Sequence, residues 1–197
     1  LEFGMSNLGV IDQAFLQTLY GANQNTNSGN TEFQFNIDDR SQNWETIWDT
    51  AGVDTIIFNG EQSYSVNIDL RAPTLDLTDQ EQTLSGICTV TDANTWGGLV
   101  IGHGVHIENA KSGKGNDTII GNDLNNVLTS LGGDNIFNPN LGDDLIKSGN
   151  GNDVVYLESA ELWDNKFVAV HTIANETSTY ESINLEGYNK FTDHIFL

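Results

Sequence analysis

Between Ser112 and Tyr156 the polar and apolar positions recur every nine residues. In register, the five blocks read S-G-K-G-N-D-T-I-I, G-N-D-L-N-N-V-L-T, S-L-G-G-D-N-I-F-N, P-N-L-G-D-D-L-I-K and S-G-N-G-N-D-V-V-Y. The eighth place is always apolar: Ile119, Leu128, Phe137, Ile146 and Val155. The sixth is always Asp or Asn: Asp117, Asn126, Asn135, Asp144 and Asp153. Side chains alternate across a strand, so a short x-U-x strand turns only its middle residue inward. The eighth places therefore predict a core built from one residue per block. The glycine-rich first half of a block predicts a tight turn, because Gly reaches φ > 0 without strain. If each block makes half a coil, blocks one, three and five stack on one side and blocks two and four on the other.

Outside the repeats the pattern changes twice. Residues 8–20 have helical spacing, with Val10, Ile11, Ala14, Phe15 and Leu19 on one face, Asn7 as candidate N-cap and Gly21 as candidate C′ residue. The polar stretch from Gly21 to Thr31 reads as loop. Strand-like runs follow at Glu32–Asn36, Thr46–Trp48, Thr55–Phe58, Tyr64–Leu70 and Val100–Ile107. Residues 72–98 are polar and irregular, which predicts an excursion from the main body. Beyond Tyr156 the repeat stops, and Lys166–Ile173 and Ser182–Leu185 read as capping strands that would cover the open last coil.

Composition adds chemistry to this outline. The chain of 197 residues carries 28 Asp and Glu against 7 Lys and Arg, a formal net charge of -21. Such a surface repels nucleic acid and anionic lipid, so neither is an expected partner. A hydrophobic fraction of 38% in patterned runs argues for a packed domain rather than disorder. Cys88, the single cysteine, cannot form an internal disulfide and reads as a small buried hydrophobe. No stretch is long and apolar enough to predict a membrane span. The chain opens without a basic segment and apolar core of signal-peptide type, and L-E-F-G-M reads as a cloning remnant over residues 1–5.

A sharp turn aims backbone carbonyls at one point, and an Asp beside it adds a carboxylate. Calcium takes six to eight oxygens of those two kinds. The second, fourth and sixth places of the blocks are the candidate ligand positions: Gly113, Gly115 and Asp117; Asn122, Leu124 and Asn126; Leu131, Gly133 and Asn135; Asn140, Gly142 and Asp144; Gly149, Gly151 and Asp153. Asn126 and Asn135 bring a neutral group where Asp would bring charge, and Leu124 stands where the other four blocks have glycine. A metal-free stack of Asn and Asp ladders is the alternative.

The nonapeptide is similar to G-G-x-G-x-D-x-U-x, the calcium-binding repeat of RTX proteins. The wider chain, from about Ile11 to about Tyr156 and more loosely to the end, resembles the C-terminal part of the serralysin family of secreted bacterial zinc metallopeptidases. D-Q-A-F-L-Q-T-L-Y-G-A-N is similar to the helix closing that family's protease domain. W-D-T-A-G-V-D-T-I-I-F-N-G resembles its W-D-x-G-G-x-D-T-x-D-F-S-G, and I-G-H-G-V-H-I-E-N-A its I-A-x-G-V-T-I-E-N-A. The resemblance implies an all-β, calcium-binding parallel β-roll with flanking capping strands and a short N-terminal helix. It divides the chain into a helix at 6–22, a β-rich part at 23–111, the repeats at 112–156 and capping strands at 157–197. It also implies two calcium sites outside the repeats. One falls on Asn27, Gly29, Thr31, Asp49, Ala51 and Asp54, the other on His106 and Glu108. Several of these would offer main-chain oxygens, so Asn27, Ala51 and His106 are tolerable departures.

The family's zinc motif H-E-x-x-H-x-x-G-x-x-H has no counterpart here. His103 and His106 have no acidic base between them, and no nucleophile elbow or P-loop is found. The resemblance therefore implies a non-catalytic domain. It would fold on calcium after type I secretion and support an attached metalloprotease, with that protease and the secretion machinery as partners and the extracellular space as location. The ending T-D-H-I-F-L is similar to the family's uncleaved secretion signal, or is an ordinary terminal strand. Two other readings differ in class. In a carbohydrate-binding module, Trp44, Trp48, Trp96 and Trp163 would stack on a polysaccharide. In a small acid–base lyase, the clustered carboxylates would be catalytic.

Overall fold

The computed structural model describes residues 8–36, 44–59, 63–74, 78, 85–91 and 97–156, and the backbone of three short strands beyond them. The chain is almost entirely strand, with one short helix. Helix α1 (Val10–Tyr20) precedes β1 (Glu32–Phe35), β2 (Trp44–Ile47), β3 (Thr55–Phe58), β4 (Val66–Asp69), β5 (Ile87–Val90), β6 (Gly98–Ile101) and β7 (Asn109–Lys111). The repeats supply β8 (Thr118–Ile120), β9 (Val127–Thr129), β10 (Ile136–Asn138), β11 (Asp144–Lys147) and β12 (Asp153–Tyr156), followed by β13 (His171–Ala174), β14 (Glu181–Asn184) and β15 (Ile195–Phe196).

From β7 onward, successive strands alternate between two sheets. One runs β1-β3-β7-β9-β11-β13-β15, and the other β14-β12-β10-β8-β4-β5-β6-β2. Every pairing in the first sheet is parallel. A parallel pair needs a crossover, and between β7 and β12 each crossover is a turn, a strand of the opposite sheet and a second turn. The register stacks like on like. Ile56, Ala110, Leu128 and Ile146 align in one sheet, and Ile68, Ile119, Phe137 and Val155 in the other. All eight are buried in one continuous core. Burying an aliphatic or Phe side chain stabilises by about 1.5–3 kcal/mol, so each coil adds a similar increment on either side.

Three expectations change. Residues 72–98 are not wholly an excursion, because β5 lies within them and pairs antiparallel with both β4 and β6. The eight-stranded sheet is therefore mixed rather than purely parallel. The cause is legible in I-C-T-V, a strand-forming run that turns Cys88 and Val90 into the core. Burial pushes the Cys88 thiol up to about 12, which suits packing rather than reactivity.

The run Val100–Ile107 is strand only to Ile101 and then turns. Gly102 begins that turn by donating its N–H to Ile47 O at 3.0 Å.

Helix α1 starts at Val10 with Gly9 in the cap position and no side-chain cap; Asn7 lies outside the described residues. Gly21 closes the helix at φ 81°, with its N–H on Gln17 O. Of the expected apolar face only Ala14 is buried, while Ile11, Phe15 and Leu19 are 77%, 62% and 55% exposed. No described residue covers that stripe. Strands β13 and β14 fall within or beside the expected capping runs, the remainder of which lies outside the described residues.

Candidate metal centre

The side chains at the sixth places do two things at once. In Asp117, Asn135, Asp144 and Asp153 the first oxygen accepts a backbone N–H from the coil before, whereas Asn126 Oδ1 accepts the Asn122 N–H of its own block. Asp117 Oδ1 accepts from Val66 at 3.0 Å, Asn135 Oδ1 from Asp117 at 3.0 Å and Asp153 Oδ1 from Asn135 at 2.9 Å. On the opposite edge Asp144 Oδ1 accepts from Asn126 at 2.8 Å. All of these side chains are buried. The second atom of each then faces inward between stacked turns, and Oδ2 of Asp117, Asp144 and Asp153 is buried there.

The fifth places form a second ladder running the other way. Asp134 N–H donates to Asn116 Oδ1 at 2.9 Å, Asn152 N–H to Asp134 Oδ1 at 2.7 Å, and Asp143 N–H to Asn125 Oδ1 at 2.9 Å, each across 18 residues. Sequence reasoning missed this ladder. Its signal was present, since all five fifth places are Asn or Asp.

Below the repeats the same edge carries the turn from Asp49 to Asp54. Asp54 Oδ1 accepts the Thr31 N–H at 2.8 Å, and Glu108 Oε2 accepts the Asp54 N–H at 2.7 Å. Asp49 Oδ1 accepts the Ala51 N–H at 2.9 Å. The second Asp49 oxygen, Oδ2, is buried and receives no donor hydrogen from the described residues. The loop before β1 is tied to this turn. Asn27 Nδ2 donates to Trp48 O at 2.9 Å, Thr50 Oγ1 to Thr26 O at 2.6 Å, and the Val53 N–H to Asn30 Oδ1 at 3.0 Å. Gly52, at φ 140°, lets the two segments meet. A Cβ there would lie 2.7 Å from Gly29 O and 2.9 Å from Asp54 Oδ1.

An open cavity of about 380 Å³ results, lined by Asp49, Thr50, Ala51, Gly52, Asp54, Gly104, His106, Glu108 and Leu124. The two ligand groups expected separately, around Asp49 and Asp54 and around His106 and Glu108, thus share one cavity. Asn27, Gly29 and Thr31 brace its wall. Thr50, Gly52 and Gly104 had not been anticipated; their signal was adjacency to the acidic turn.

Burial pushes the Asp54 carboxyl up to about 6, against the Thr31 N–H and aided by the negative charges of Asp49 and Glu108. Either a proton or a cation relieves carboxylates held this way. Among the described residues no three His, Cys, Asp or Glu side chains converge as a ready-made metal cluster. Asp49, Asp54 and Glu108 offer carboxylate oxygens, one of which is buried without a donor among the described residues, and the glycine cradle leaves room. These residues fit calcium. His103 stands apart, with Nδ1 3.1 Å from Pro73 O. Trp48 packs against the core, and Trp96 and Trp163 lie outside the described residues.

The chain is thus a mostly β domain of two facing sets of largely parallel strands, with Asp and Asn side chains buried at the turns of its repeats. Comparison with known proteins agrees: the chain belongs to the peptidase M10 serralysin C-terminal family, whose pattern matches residues 12–197. Metallopeptidase AprA of Pseudomonas marginalis is 35% identical over 134 residues, covering 60% of this chain and 24% of the relative. Metalloprotease AprA of Pseudomonas entomophila is 37% identical over 128 residues, covering 59% and 23%. Serralysin of Photorhabdus laumondii subsp. laumondii is 35% identical over 128 residues, with the same coverage of 59% and 23%. The chain therefore spans about a quarter of the length of the curated relatives it matches. The match is to a C-terminal part and brings no catalytic activity with it.

Proposed function

We propose that this chain is a calcium-binding RTX domain, a parallel β-roll that completes its folding when calcium reaches it outside the cell. Asp49, Asp54 and Glu108 hold one or more ions, with main-chain oxygens of Gly29, Thr31, Ala51 and His106 available beside them. Asp117, Asp144 and Asp153 extend the same chemistry along the repeats. Bound calcium supplies positive charge between carboxylates that otherwise repel each other. Two like charges about 4 Å apart cost roughly 4 kcal/mol at an effective dielectric near 20. A domain in that state stays loose where free calcium is scarce, which suits passage through a type I secretion channel. At a hundredfold excess of calcium over its dissociation constant, each site adds about 2.7 kcal/mol to folding. The natural context is an attached serralysin-like metalloprotease, which the domain supports without taking part in catalysis.

The observation carrying this reading is the buried Asp49 Oδ2 beside the raised Asp54 carboxyl, in a cavity that Glu108 closes. Calorimetric titration with calcium, followed by thermal melts with and without chelator, tests it. Asp49→Asn keeps the acceptor for the Ala51 N–H and replaces Oδ2. It should weaken the tightest site at least tenfold. Unchanged binding in Asp49→Asn, or a melting temperature indifferent to calcium, contradicts the proposal. A polysaccharide-binding role draws less support, because Trp48 is committed to packing against the core.

A further inference from the structure

The asparagines that replace aspartate in the middle of the stack do not offer oxygen to an ion. Asn135 is 1% exposed, and its Oδ1 is fixed by the Asp117 N–H at 3.0 Å. A flipped amide would set two donors against each other there, so the orientation follows from the backbone. Nδ2 must then point between the turns at 130–135 and 148–153. There it donates to Gly133 O at 2.9 Å, Asp153 Oδ1 at 2.8 Å, Ser148 O at 3.3 Å and Gly132 O at 3.4 Å. These are carbonyl and carboxylate oxygens from two consecutive turns, the kind of set a cation would gather.

The opposite edge repeats the arrangement half a coil earlier. Asn126 Oδ1 is fixed by the Asn122 N–H at 2.8 Å, and Asn122 Oδ1 by the Leu124 N–H at 3.0 Å. Their amide nitrogens therefore face the turn below. Asn126 Nδ2 donates to Glu108 O at 2.8 Å and to Asn122 Oδ1 at 3.0 Å. Asn122 Nδ2 donates to Ile107 O at 2.8 Å and to Leu70 O at 3.1 Å. An amide N–H₂ supplies two donors where calcium would supply charge, and it does so at neutral cost in a region already dense with carboxylates.

We infer that two inter-turn positions of the stack are closed by the chain's own amides rather than by metal, one by Asn135 and one by Asn122 with Asn126. Those two positions therefore keep their contacts without calcium while the rest of the domain loosens, and ions are left to the acidic turn and to the buried second oxygens of Asp117, Asp144 and Asp153. This rests on the calcium reading above but can fail separately from it.

Native mass spectrometry of the chain in calcium, beside Asn135→Asp and Asn126→Asp, counts the ions. Each variant should carry one ion more than the parent, because a carboxylate oxygen replaces the inward N–H₂. An unchanged count in both variants overturns the inference, since the parent would already hold an ion there. A parent that binds no calcium while Asn135→Asp binds one overturns the calcium reading and supports the amide assignment. Should the variants not fold, hydrogen exchange of the parent in chelator decides. Protected amides at Asp117, Asn126 and Asn135 support the inference, and their exchange as fast as that of the 49–54 turn overturns it.

Discussion

The Asp54 N–H donates to Glu108 Oε2 at 2.7 Å, joining residues 54 positions apart in sequence. The bond places the acidic turn after β2 directly under the turn that leads into β7, so a cavity with three carboxylates at its margin is fixed by the backbone itself. What the carboxylates face, proton or cation, then depends on the solution.

Proton and cation should compete at Asp54. Its carboxyl is held at about 6 in the fold by burial and by its acidic neighbours, against about 3.9 in an unfolded chain. Between those values the folded state binds more protons than the unfolded one. Calcium-free stability should therefore fall as pH rises from about 4 to about 6. Calcium affinity should rise through the same window as the proton is displaced. Urea unfolding in chelator at several pH values, with calorimetry in calcium at the same values, checks both slopes.

Gly52 should tolerate no side chain. At φ 140° an added Cβ meets Gly29 O at 2.7 Å and Asp54 Oδ1 at 2.9 Å, both parts of the cavity wall. Gly52→Ala should cost more than about 1 kcal/mol through strain and weaken calcium binding as well. Thermal melts with and without calcium should place the larger loss in calcium. An equal loss in both conditions would separate Gly52 from the site.

Helix α1 makes the opposite kind of prediction. Ile11, Phe15 and Leu19 are largely exposed, so replacing them with Ser should change the stability of this chain by no more than about 0.5 kcal/mol each. Equilibrium unfolding in urea measures this. A loss of several kcal/mol would mean that the helix packs on residues outside those described.

Much of this was legible in advance because the repeat couples two periods, alternation along a strand and return every second block. Ile119, Leu128, Phe137, Ile146 and Val155 were assigned to the core by that rule alone, and all are buried. Strand β5 was less legible, because I-C-T-V sits among polar neighbours and pairs antiparallel in a sheet otherwise expected to be parallel. The exposed face of α1 misled for a different reason: apolar periodicity says that a face seeks a partner, not where the partner is. At the centre, sequence named Asp49, Asp54, His106 and Glu108 but divided them between two sites, since nothing local in the chain states that turns 54 residues apart share a cavity. At Asn122, Asn126 and Asn135 composition gave a polar group, and only the backbone N–H on each Oδ1 revealed that the inward atom is nitrogen.

The most direct measurement is an anomalous difference map from crystals of this chain grown in ample calcium. The account predicts density for an ion between Asp49, Asp54 and Glu108. Ordinary solvent alone in that cavity would contradict it.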